Sequence, residues 1–124
     1  MIILELKLLD AFEKVSEKEN FEFIVVHIPD KREVSEEYQQ KFLDQWSDVD
    51  ESFFEFRKIE NIFSEKLPAA HPDSEYPIEY ISLFDLAEAN FDNFYFKTDP
   101  HWNSQGVSLS ADYIAEELKK KNII

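Results

Sequence analysis

FEFIVVHIP, residues 21–29, carries the clearest structural signature in this chain. Its centre, Ile24 to Val26, is continuously apolar and β-branched, which predicts a strand buried on both faces. Pro29 ends the strand, because proline has no amide hydrogen to donate to a sheet. A second run, IEYISLF at 78–84, predicts a second strand with Asp85 just past its end. Strands of this kind belong to parallel sheets, so the two are predicted to be parallel neighbours.

Amphipathic helices are predicted on both sides of these strands. Residues 2–19 place an apolar stripe opposite a face of Glu and Lys, the stripe being Ile2, Leu6, Leu9, Phe12 and Val15. Asn20 is a suitable stop. Ser35 is a suitable N-cap for the next helix, and Asn103 caps the last helix, which is predicted to run over 104–120.

The middle of the chain gives a third helix and several short pieces. Segment 51–67 predicts a helix with Phe54, Ile59, Ile62 and Phe63 inward, and the three prolines of 67–77 predict a loop. A helical turn is predicted at 85–90 and an extended piece at 94–98. The resulting order α-β-α-α-β-α predicts an α/β layer with helices 2–19 and 104–120 packed on the sheet. Two strands are few for a complete domain, so the chain is predicted to be part of a larger doubly wound fold.

Composition excludes several classes of function. The formal net charge is −14, so nucleic acid and anionic membrane surfaces are disfavoured partners. The chain has no cysteine, which rules out disulfides, thiolate zinc sites and a cysteine nucleophile. No stretch is long enough to span a bilayer, and the charged start MIILELKLLDAF is unlike a signal peptide. No cofactor is predicted.

The chemistry is concentrated in FYFKTDPHWNSQG, residues 94–106. Asp99 and His101 stand two residues apart, and this spacing has three interpretations. The carboxylate can orient the imidazole as a general base, both residues can ligate a metal together with a third ligand, or His101 can simply lie near a helix start. Pro100 fixes its own φ and restricts Asp99, which helps to aim both side chains from a turn.

The same stretch resembles the C-terminal block of SGNH (GDSL-like) hydrolases, most closely the branch that includes the alginate O-acetyltransferases. That block reads Asp-x-His-Trp-Asn, two residues and Gly, and the matching positions here are Asp99, His101, Trp102, Asn103 and Gly106. FIVVHIPDK and IEYISLFDL are similar to other strands of the family. The resemblance implies a partial three-layer α/β/α, flavodoxin-like fold with parallel strands. It also implies that His101 is the general base and Asp99 its orienting partner, while Trp102, Asn103 and Gly106 shape the site. The implied substrate is an ester or acylated carbohydrate, and family members are often extracytoplasmic.

The nucleophile is not identified in the sequence. None of the ten serines follows a strand with a glycine turn, and the single glycine, Gly106, is already used in the motif. Residues 1–124 are therefore expected to form one incomplete SGNH hydrolase-like domain, lacking the first strand and inactive by itself. An alternative is a non-catalytic interaction module that binds through exposed sheet edges. Self-association through those edges or the Phe-rich helices is also expected.

Other polar residues are weaker candidates. His27 is interpreted as a core or strand-end histidine, and His71 as a solvated residue of the proline loop. Asp30 and Lys31 follow a strand at the end where α/β sites form, but a surface ion pair is the favoured interpretation. Asp85 has the same two interpretations.

Overall fold

The computed structural model describes residues 2–46, 48–49, 55–70 and 73–124. These residues form seven helices and two strands. The helices are α1 (Ile2–Glu19), α2 (Lys31–Val34), α3 (Glu36–Gln45), α4 (Lys58–Ala70), α5 (Phe84–Ala89), α6 (Phe91–Phe94) and α7 (Ser104–Lys120). The strands are β1 (Ile24–His27) and β2 (Glu79–Ser82). Within this described part, no helix combines the length and the apolar character needed to cross a membrane.

The two strands are parallel neighbours, as predicted. Their register pairs Ile24 with Glu79 and His27 with Ser82. Each strand is shorter than its apolar run, and Ile24 to Val26 are only half-buried. The prediction of a strand buried on both faces is therefore wrong for the described residues, where α4 provides the principal helix contact of the sheet.

Helix α1 has the predicted ends, and its predicted buried face is observed only in part. It ends at Glu19 because Asn20 takes a left-handed conformation, φ 57°, which a helix cannot continue. Glu13 and Ser16 are its most buried residues, at 1% and 0% exposure. Phe12 and Val15, which were predicted to face the core, are about half exposed. Leu6 and Leu9 of the predicted stripe are half-buried on the same side as Glu13 and Ser16, so the side of the helix that packs overlaps the predicted stripe only in part.

The helix predicted over 51–67 is observed as α4, which starts at Lys58 after Arg57 in a left-handed conformation, φ 59°. Residues 51–54, including Phe54, lie outside the described residues. The helix passes through Pro68 and ends at Ala70, so the predicted loop begins later than expected. One proline removes a single intrahelical hydrogen bond, and here the helix continues through it.

The hydrophobic core lies between α2, α5, α6 and α7, below the loop that carries Asp99 and His101. Its buried members are Val34, Phe84, Ala87, Phe94 and Tyr95. Helix α7 packs mainly on α5 and α6 rather than on the sheet, contrary to expectation. The core therefore supports both ends of the 95–103 segment, which positions the site described next.

Candidate functional site

The loop between α6 and α7 is closed at its base like a small hairpin. Tyr95 is extended and forms an isolated antiparallel bridge with Trp102. Phe96 N donates to His101 O at 3.1 Å, and Asn103 N donates to Phe94 O at 2.9 Å. Between these bonds, residues 97–101 project outward as the tip that carries the Asp-Pro-His sequence.

Asp99 and His101 meet at this tip. His101 Nδ1 lies 2.5 Å from Asp99 Oδ1, and the His101 backbone amide donates to the same oxygen at 2.8 Å. The side chain of His101 is 77% exposed and that of Asp99 is 51% exposed. The predicted approach of the two side chains is observed, while their catalytic roles remain a prediction.

The electrostatics of the pair fix the direction of the hydrogen bond. The backbone amide and then the side chain of His101 hold the pKa of Asp99 below its usual value, and the charge of Lys31 adds to this. Asp99 is therefore ionised near neutral pH and can only accept hydrogen bonds. Nδ1 must carry the proton, so a neutral His101 presents the lone pair of Nε2 to solvent. A wide-mouthed depression of about 370 Å³ at the tip is lined by Phe96, Thr98, Asp99 and His101.

The predicted site-shaping residues all lie beneath this tip. Asn103 caps α7, its side-chain oxygen accepting from the amides of Gln105 and Gly106 at 2.9 Å each. Its amide group donates to Tyr95 O at 2.9 Å, which ties the cap to the base of the loop. Trp102 packs against the core and stacks on Phe94. These contacts fix the loop base, so the tip is built on a rigid support.

Asp30 and Lys31 do not form the surface ion pair considered from the sequence. Asp30 caps α2 and pairs with Arg32, with Oδ1 2.7 Å from Arg32 Nε. Burial acts to raise the pKa of Asp30, but the hydrogen bonds from Arg32, with a smaller effect of His101, lower it overall. Lys31 is buried and donates from Nζ to Phe96 O at 2.9 Å and Lys97 O at 3.2 Å. This last contact was not predicted, because its partners are more than sixty positions apart along the chain.

His27 is a buried strand-end histidine within a polar network. Its Nε2 lies 3.0 Å from Glu33 Oε2 and its Nδ1 lies 3.1 Å from the Tyr80 hydroxyl. Glu33 also accepts from the Asp30 amide, which links β1 to the start of α2. Burial raises the pKa of Tyr80 to about 12, so its hydroxyl stays protonated at neutral pH. This network holds the segment from which Lys31 extends.

The remaining candidates lie apart from the tip. Asp85 accepts from Arg57 at 2.7 Å, so it is a surface ion pair. His71 lies outside the described residues. Among those that are described, no group of three or more His, Asp or Glu side chains is arranged to hold a metal ion.

Comparison with known families identifies the chain. A family model described as SGNH hydrolase-like domain, acetyltransferase AlgX, matches residues 4–124. The chain belongs to this family. The resemblance inferred from the motif is thus confirmed, as is the α/β fold class, of which the described residues show a small parallel two-stranded sheet flanked by helices. Neither curated proteins nor solved structures gave a match.

The serine nucleophile that the resemblance to SGNH hydrolases implies is not found beside His101 among the described residues. In the described part of the chain, no serine hydroxyl forms a hydrogen bond with His101. Most described serines use their hydroxyls elsewhere: Ser16 donates to Glu13 O and Ser110 to Gly106 O within their helices, and Ser82 donates to Glu60 of α4. Ser104, the first residue of α7, is the closest in sequence to the pair, and its side chain has no hydrogen bond among the described residues. The described part of the chain therefore presents an Asp99–His101 pair whose imidazole receives no hydrogen bond from a serine.

Proposed function

We propose that Asp99 and His101 are the base half of a Ser-His-Asp acyl-transfer site. The chemistry is that of an esterase or O-acetyltransferase, acting on an ester or an acylated carbohydrate. The observation that supports this most directly is the Nδ1–Oδ1 contact of 2.5 Å beside an open depression, made by the two residues that match the family motif. A carboxylate bound to Nδ1 leaves Nε2 as the basic atom, which is the arrangement a serine nucleophile needs.

In the proposed reaction, Nε2 of His101 removes the proton of a serine hydroxyl while that oxygen attacks the acyl carbonyl. Asp99 stabilises the imidazolium that results. Collapse of the tetrahedral intermediate transfers the same proton from Nε2 to the departing alkoxide. The acyl group then passes from serine to water or to a sugar hydroxyl, which His101 deprotonates in turn. Asp99 remains ionised throughout, consistent with its lowered pKa.

We further propose that this chain alone does not turn over simple esters. A general base accelerates attack only when a nucleophile lies within hydrogen-bond reach, about 2.6–3.2 Å. In triad enzymes the members act as a unit, and loss of the nucleophile removes most of the acceleration. None of the described serines forms a hydrogen bond with His101. The nucleophile is therefore expected from another segment or another chain.

The base role is tested by the reactivity of Nε2. His101 in the unaltered chain is expected to react with diethyl pyrocarbonate faster than His101 in Asp99→Asn, because the carboxylate holds the ring proton on Nδ1 and leaves Nε2 as the nitrogen with a free lone pair. Peptide mass analysis separates His101 from His27 and His71. Asp92→Asn, at an exposed aspartate of α6, is the matched control and leaves the rate unchanged. Equal rates in the chain and in Asp99→Asn would refute the base role.

A second arm tests whether a nucleophile is absent. The purified chain and His101→Ala are compared on p-nitrophenyl acetate, and equal background rates are expected. Turnover that depends on His101 would contradict the proposed inactivity, and Ser104→Ala would then show whether Ser104 is the nucleophile. The two arms are independent, since a competent base can exist without activity.

A further inference from the structure

Lys31 has an unusual environment for a lysine. It is 4% exposed, and in the described part of the chain no carboxylate lies within ion-pair distance of its Nζ. The ammonium is instead surrounded by two backbone carbonyl oxygens and by the ring of Tyr38, whose centroid is 4.1 Å away. Burying a charge is costly unless it is compensated, and carbonyl dipoles with an aromatic face supply that compensation here. The side chain is therefore committed to binding one particular piece of backbone.

That piece of backbone leads directly into the catalytic tip. The two carbonyls belong to Phe96 and Lys97, which precede Asp99 by three and two residues. Two further bonds join the same parts of the molecule: the Tyr38 hydroxyl donates to Lys97 O at 3.2 Å, and the Lys31 amide donates to Pro100 O at 3.3 Å. The tip beyond these bonds is exposed at Thr98, Asp99 and His101.

The side-chain attachment made by Lys31 is on one side of the loop. On the α7 side the loop is held at its base, through Trp102 and Asn103, and by the bond from the Lys31 backbone amide to Pro100 O. On the other side, Lys31 and Tyr38 hold the strand of the loop that approaches the Asp-Pro-His turn. Without the ammonium, Phe96 O would lose the donor that Lys31 supplies, and Lys97 O would keep only the Tyr38 hydroxyl. The backbone that leads to Asp99 would then be held by fewer hydrogen bonds and would open more often.

We infer that Lys31 is a positioning residue that holds the 96–100 backbone so that Asp99 reaches His101 Nδ1. The inference rests on the proposed function of that pair, because positioning has a purpose only if His101 acts as a base. Lys31 itself is not a catalytic residue, since its ammonium is enclosed by protein and does not face the depression.

Nuclear magnetic resonance of the purified chain tests the inference without requiring activity. The ¹⁵N shifts of the His101 ring report whether Nδ1 carries the proton, and amide exchange at Phe96 and His101 reports opening of the loop. Lys31→Met removes the ammonium while keeping an unbranched side chain. Lys97→Met is the matched control, because it removes the same charge from an exposed lysine of the same loop.

In Lys31→Met we expect the Nδ1–H signature to give way to a mixture of tautomers. The amides of Phe96 and His101 should exchange about tenfold faster, as expected for loss of a charge-assisted hydrogen bond. The Leu83 amide, bonded to His27 O in the sheet, should not change. Lys97→Met should resemble the unaltered chain. Because the chain has no cysteine, aminoethylation of Lys31→Cys in denaturant, followed by refolding, restores an ammonium at this position alone.

The outcomes separate the two hypotheses. A folded Lys31→Met chain that keeps the Nδ1–H signature and slow exchange overturns the positioning role. An unaltered chain without the Nδ1–H signature refutes the proposed function, while exchange at Phe96 still reports on Lys31. If Lys31→Met does not fold, Lys31→Gln replaces it, because the amide keeps hydrogen-bond donors in the pocket. A full wild-type signature in Lys31→Gln shows that the ammonium is not required and likewise overturns the inference.

Discussion

Gly106 lies where the first turn of α7 passes over the backbone of Phe94. A Cβ added at this position would overlap the Phe94 carbonyl oxygen and would lie 3.2 Å from its carbonyl carbon. The φ angle of Gly106 is not positive, so close approach rather than backbone conformation is what requires glycine. The left-handed positions of the described chain are occupied by Asn20, Arg57 and Asn122 instead.

Gly106→Ala sets two effects of opposite sign against each other. Alanine in a helix is favoured over glycine by about 1 kcal/mol, whereas overpacking against backbone costs about 1–3 kcal/mol. The overlapping atom is a backbone oxygen that cannot rotate away, so we expect net destabilisation of about 1 kcal/mol in urea unfolding. Ser108→Ala, an exposed change on the same helix, should be neutral within about 0.5 kcal/mol. A stabilised Gly106→Ala chain would mean that the helix can move off Phe94.

Asp99, His101 and Lys31 differ in how far their contacts could be predicted from the sequence. The approach of Asp99 to His101 was predictable from the family motif and from Pro100, which restricts the backbone between them. The burial of Lys31 was not, because its partners lie 65 and 66 positions further along the chain. Lysine is among the residues least often buried, so composition and spacing favour a solvated side chain there.

At the scale of elements, α7 is the best specified part of the fold. Asn103 caps its first turn, and the Lys121 amide donates back to Glu117 O at its end. The predicted range 104–120 is confirmed. Both ends could be predicted because the hydrogen bonds that define them are local. The strands are less well specified, because their apolar runs continue beyond the residues that find a partner strand. For α1, the apolar stripe predicted the helix but not which of its residues are most buried, because that depends on packing against residues far away in sequence.

The Asn103 cap connects an element to the site, and its loss should be measurable. Asn103→Ala removes the acceptor for two amides and the donor to Tyr95 O, so we expect a loss of about 2 kcal/mol in the free energy of unfolding. Asn103→Asp keeps the acceptor and suits the positive helix end, so its loss should be smaller. Asn93→Ala, at an exposed asparagine of α6, serves as control. Equal losses for the Ala and Asp variants would show that the Tyr95 bond, not the cap, is the stabilising contact.

At the scale of the whole molecule, the notable feature is the apolar face of α1. Ile3, Leu4, Leu8, Phe12 and Val15 are each about half exposed or more. Contiguous apolar surface of this kind is uncommon on monomeric proteins. Helix α1 carries five acidic and three basic residues, so it holds only a small part of the net charge of −14. Repulsion between copies is therefore weaker on this face than the overall charge suggests.

We expect the purified chain to self-associate through this face, since in such a solution another copy is the only protein surface that can cover it. Salt should strengthen the association by screening the overall charge.

Combined substitution Leu4→Gln and Leu8→Gln should yield a monomer in size-exclusion chromatography with light scattering at roughly tens of micromolar, a range suited to weak dimers. Both side chains are more than half exposed, so the unfolding free energy should change by only about 0.5 kcal/mol per site. Ile124→Gln, at a residue 68% exposed outside α1, controls for the loss of apolar surface in general. An unaltered chain that stays monomeric at raised salt would show that the α1 face does not bind a second copy at this concentration, because the repulsion between the acidic chains is then screened.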